Sequence, residues 1–84
     1  MPPVTFQQIV TMFREIDILH MKGLGVLLDD YAYMSDSAGD HKNAQAVYDS
    51  LTGAAQPQMP PGGPYWTRDQ LDLFAKWMSD GYVA

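Results

Sequence analysis

The chain contains no cysteine. Disulfides, thiolate metal sites and prosthetic groups anchored through thioether bonds are therefore excluded. Basic residues are scarce: five Lys and Arg stand against ten Asp and Glu, for a formal net charge of −5. Nucleic acid and anionic membrane both call for a basic face, so neither is expected as a partner. No apolar run approaches the roughly 18 residues that span a bilayer. The opening MPPVTFQQ lacks a basic segment followed by an apolar block. No secretory signal is read there, and a cytoplasmic location is expected. Strand signals are also missing, which leaves an all-α class.

What remains is 84 residues, the size of one small domain. A domain this small buries only about 60–65% of its unfolded surface, so its stability margin is thin. Six Met, three Phe, five Tyr and two Trp supply a rich and adaptable core.

Four helical segments are predicted. The first begins after Thr5, which with Gln8 has capping-box spacing, and runs over residues 6–19. Phe6, Ile9, Val10, Phe13 and Ile16 form its apolar stripe, and Gly23 and Gly25 break it. The second, around Leu27, Leu28, Tyr31 and Met34, is short, with Asp29 or Asp30 as its cap. The third starts after Asp40 as N-cap, carries Ala44, Val47, Tyr48 and Leu51, and ends at Gly53. The fourth has a capping box at Thr67 and Gln70 and a staple between Trp66 and Leu71. Leu71, Phe74, Trp77 and Met78 line its apolar face, and Gly81 ends it. The aromatics of the first and last stripes suit a close crossing of those two helices.

Between the third and fourth segments lies QPQMPPGGPYWT, residues 56–67. Prolines and glycines surround a single methionine, Met59, and the stretch closes on Tyr65 and Trp66. The order of features resembles the class I, single-haem cytochrome c fold. In that family a loop of the form M-P-x-G precedes a last helix ending in W-[IM]-x-x-G. Here Met59 opens the first pattern, and Trp77, Met78 and Gly81 supply the second. The likeness covers residues 5–82, a single cytochrome c-like helical domain with four helices. The family's C-x-x-C-H motif is absent, so covalent haem is impossible. Two registers of the lost motif are open. In one, Ile16 and Leu19 replace the thiols and His20 keeps the ligand position. In the other, the motif spans Asp17 to Met21 and Met21 takes that position. The chain also resembles a group of small bacterial proteins with this layout, no haem motif and no established activity. Their pattern of F-R-x-x-D-x-x-x-M, D-x-x-Y and M-P-x-x-G meets Phe13, Arg14, Asp17, Met21, Asp29 or Asp30, Tyr31 or Tyr33, Met59 and Gly63 here.

The resemblance implies two functions. The leading expectation is a haem-free binding or structural module that acts through a protein partner and carries no catalytic activity. Its cofactor space is then filled by large side chains (Met21, Met34, Tyr48, Tyr65, Trp66), with Met59 pointing inward and packing. Met59, Tyr65 and Trp66 mark the candidate partner surface, since aromatics beside prolines are typical anchors. The alternative is an electron carrier holding haem non-covalently through His20 and Met59. No cofactor and no metal are expected under the first reading. His20 and His41 are 21 residues apart and match no ligand spacing, even with Asp29, Asp36 or Asp40. His41 is expected on the exposed first turn of the third helix. Asp29, Asp30, Asp36 and Asp40 lack the order of a calcium loop and read as a solvated face. Arg14 and Asp17 form either an ordinary i, i+3 surface pair or, with Asp17 turned inward, a tether for the loop before Gly23. No nucleophile elbow, phosphate loop or triad order is present, so no enzyme is expected.

Overall fold

A computed structural model describes residues 3–56, 58–59 and 65–84. Among them the chain is all-helical and has no strand. Five helices follow in order: α1 (Phe6–Val10), α2 (Glu15–Gly23), α3 (Tyr31–Met34), α4 (Ala38–Thr52) and α5 (Arg68–Ser79).

The fifth helix arises because the long first segment predicted over 6–19 is broken. Its start is as expected. The Thr5 side chain accepts from the Gln8 N–H, and the Gln8 side chain accepts from the Thr5 N–H. The last turn then tightens, with Met12 and Phe13 N–H groups donating to the carbonyls of Ile9 and Val10, three residues back. Arg14 follows in an extended conformation (φ −76°, ψ 148°). The break swings Phe13 into the core, where its ring lies 5.0 Å from that of Trp66. It also turns Ile16, the next member of the sequence stripe, out to 69% exposure. A contact distant in sequence thus overrides a continuous local periodicity.

The second segment is a single turn. Asp30, of the two candidate aspartates, accepts from the Tyr33 N–H, and Leu28 and Met34 are fully buried. The third segment departs from expectation at its start. Gly39, Asp40 and His41 all have positive φ, from 56° to 62°, so the chain makes a left-handed turn before right-handed helix proceeds from Lys42. Asp40 lies inside that turn and does not act as an N-cap. His41 is half-buried, not exposed, because its ring stacks on Tyr82 at 3.9 Å and 5°. Left-handed backbone costs a non-glycine residue about 1–2 kcal/mol, and the stack helps offset that cost. Ala44, Val47 and Leu51 are buried as the stripe predicts, and Gly53 closes α4 at φ 90°.

α5 follows the sequence reading most closely. Thr67 and Gln70 form the capping box, and Phe74 and Trp77 are completely buried. Trp66 packs its ring near Phe13 and Phe74. The helix lies against both α4 and α1. Phe6 meets Trp77 with ring centres 5.7 Å apart, the contact between first and last helices that the aromatic stripes suggest. The chain ends are joined there. The Val83 carbonyl accepts from the Phe6 N–H at 2.8 Å and from Trp77 Nε1 at 2.9 Å. The Val4 N–H donates to Asp80 Oδ2 at 3.2 Å. Among the described residues no helix is long and apolar enough to cross a membrane.

Candidate functional site

Two concavities deserve comparison. The larger is a half-open groove of about 210 Å³ between the α1–α2 connection and the start of α5. The break after α1 supplies Met12, Arg14 and Asp17 to one wall. Tyr65, Trp66, Thr67 and Gln70 supply the other. Arg14 and Asp17 make a bidentate pair, Nε to Oδ2 at 2.7 Å and Nη2 to Oδ1 at 3.1 Å. The Asp17 side chain is only 14% exposed and that of Arg14 48%. The carboxylate is therefore the more shielded partner and holds the guanidinium at the groove wall. Its hydrogen bonds, with desolvation opposing, push the Arg14 guanidinium further above its already high ordinary value. The pair is a positioned charged feature beside Met12, Tyr65 and Trp66, where an ion pair fixes orientation better than it adds affinity.

The candidate partner residues are placed unequally. Tyr65 is 52% exposed. Trp66 is half-buried, with one part of its ring committed to the core and another lining the groove. Met59 is only 5% exposed and belongs to the core, so it supplies a partner with almost no surface. Its N–H donates to the Ser50 carbonyl at 2.9 Å, which ties the loop to the end of α4. The rest of the proline-glycine run, Pro57 and residues 60–64, lies outside the described residues.

The smaller concavity, about 70 Å³, is lined by Met21, Val26, Tyr33, Asn43, Ala46, Val47, Ser50 and Met59. Met59 and Met21 share this space. His20 does not line it and is exposed on α2, so the His20 and Met59 pair is not brought together here. Of the proposed filling residues, Met34 is fully buried and Tyr48 stacks near Phe74 at 5.8 Å. A cofactor pocket starts at about 300 Å³, and the space lined by these described residues is well below that size. Asn43 Nδ2 donates to the Tyr33 carbonyl at 3.1 Å, closing the space from the α4 side.

Two of the four loop aspartates are engaged locally. Asp30 caps α3, and Asp36 Oδ1 accepts from the Ala38 N–H at 2.9 Å. Among the described residues no three His, Asp or Glu side chains converge on a common point.

The sequence names Arg14 with Asp17 and Tyr65 with Trp66 as two pairs, but does not bring the two pairs together. It does not mark Met12 as a wall and shows Thr67 and Gln70 only as a cap. The signal that would have joined them is the break after Val10, which no local pattern announces. The chain matches no protein-family model, and no curated protein or solved structure is significantly similar to it.

Proposed function

We propose that this chain is a haem-free, cytochrome c-like binding module that acts through a protein partner and performs no catalysis itself. The observation that carries the proposal is the groove. An exposed Tyr65 stands beside the half-buried Trp66, over an ion pair whose carboxylate is largely buried. Aromatic anchors are the usual make-up of an interaction hot spot, and a positioned ion pair beside them orients a partner. The haem-free part is supported by the size of the Met21 and Met59 cavity and by the exposure of His20. It is also supported by the absence of cysteine.

A photo-crosslinking amino acid at position 65 tests the partner, with the same group at Gln45, exposed on α4, as control. A single protein adduct is expected from position 65 and none from the control. The same protein should co-purify with the wild-type chain and be lost with Tyr65→Ala. Equal labelling from both positions would count against the groove. For the haem-free part, haemin added to the purified chain should leave its visible spectrum that of free haemin. A Soret shift abolished by His20→Ala or Met59→Ala would favour the electron carrier.

A further inference from the structure

Every strongly exposed large aliphatic side chain among the described residues belongs to α2 or its C-cap. These are Ile16 at 69%, Leu19 at 64% and Leu24 at 67%. α2 buries no residue fully. Ile16, Leu19, His20 and Gly23 are all exposed, at i, i+3, i+4 and i+7, and so form one solvent-facing stripe. Asp17, Ile18 and Met21 are half-buried on the opposite side. The stripe therefore has the spacing of a helix interface and faces water.

The charges on α2 are segregated along it. Glu15 lies in the first turn and Lys22 in the last. They are seven residues apart, so both flank the stripe on the same side. We propose that a second copy of this chain covers the stripe, the two α2 helices packing antiparallel about a two-fold axis between Leu19 and His20. In such an isologous contact residue i meets j and j meets i. Ile16 of one copy then lies over Gly23 of the other, and Leu19 beside His20. A two-fold axis of this orientation keeps each flank beside its own counterpart with the direction reversed. Glu15 therefore lies on the same flank as Lys22 of the second copy, two residues (about 3 Å) off level and within reach of the long lysine side chain, and the pair occurs twice. A parallel arrangement would set like ends level and lose both pairs.

Gly23 sharpens the fit. A Cβ built there meets nothing within 4 Å. The chain's own packing leaves room for a side chain at this position. The open backbone instead forms the hollow into which Ile16 of the second copy settles. Two aliphatic side chains on a nine-residue helix, with Leu24 at its C-cap, fall short of the roughly 800 Å² per partner of a stable interface. The dimer is accordingly weak, with a dissociation constant of about 10 µM to 1 mM, and salt weakens it further.

Sedimentation equilibrium of the full chain across that concentration range tests the proposal. The wild type should approach a dimer at low ionic strength. Gly23→Leu and Leu19→Glu should each weaken association by at least about tenfold, with circular dichroism and thermal midpoint unchanged. E15K and K22E should each weaken it, and an equimolar mixture of the two should restore it, as should the double variant. A monomer at every concentration would overturn the proposal. So would association that Gly23→Leu or E15K leaves untouched, or a mixture that fails to recover. Tyr65 is not part of the stripe, so the groove and this surface stand or fall separately.

Discussion

α5 and α2 are comparable in length, twelve residues against nine, and opposite in construction. α5 has a reciprocal capping box, two fully buried aromatics, and i, i+4 ion pairs from Arg68 to Asp72 and from Lys76 to Asp80. α2 has no side-chain cap and no fully buried residue, and it displays its aliphatics. One helix is committed to holding the fold. The other is held by it and leaves its surface available. In a domain with so thin a margin, two exposed aliphatics on that helix, a third at its C-cap, and two aromatics along one groove are the surfaces on which the proposed contacts rest.

The largest test of that contrast is Trp77→Ala. It removes a completely buried ring and the Nε1 bond to Val83. A loss of about 3–5 kcal/mol is expected, a large share of the total stability of a domain. Urea denaturation should show a chain near its unfolding threshold. Thr67→Ala comes next, because it takes away one half of the capping box. A loss of about 1 kcal/mol is expected from the same measurement.

The pH dependence should also be concentrated at the C-terminal end. The hydrogen bond from Lys76 and then that from the Val4 N–H hold the Asp80 carboxyl below its ordinary value of 3.8. A depressed carboxylate stabilises the fold while it is ionised. That contribution is complete above 3.8 and drains away as pH falls through the lowered folded value. Burial holds the Tyr82 hydroxyl above its ordinary value of 10.0, so its contribution is present below 10.0 and is lost as pH rises through the raised folded value. Thermal midpoints against pH should therefore fall at both extremes. Asp80→Asn should flatten the acid limb and Tyr82→Phe the alkaline one. The smallest effect belongs to Leu19→Ala on α2, expected within about 0.5 kcal/mol of wild type. A loss above about 1 kcal/mol would show that α2 carries the fold after all.

The same contrast explains what could be read from the chain. In α5 the cap, the periodicity and the terminating Gly81 all point one way, and the helix stands where they put it. In the 6–23 region the periodicity from Phe6 to Ile16 is uninterrupted, yet the first helix ends at Val10 and the chain runs extended at Arg14 before the second begins. The cause is Phe13 against Trp66, a contact across 53 positions that local pattern does not contain. The left-handed turn at 39–41 has the same origin: Gly39 hints at it, but the stack of His41 on Tyr82 extends it through two residues that resist such a backbone. The site fared likewise. Its residue types stood out, and their meeting followed from the break.

The bonds from Phe6 and Trp77 to the Val83 carbonyl have a kinetic consequence. The first closes a loop of nearly the whole chain, the costliest kind to close before other contacts form. Helix α4 against α5 involves shorter separations and should dock earlier. The end-to-end clasp then forms after the main folding barrier. In stopped-flow measurements Phe6→Leu, which keeps the backbone bond but loosens the ring contact with Trp77 that seats it, should speed unfolding several-fold while leaving the folding limb nearly unchanged. The clasp acts as a catch on escape from the native state, and it leaves the rate of reaching that state to the other helices.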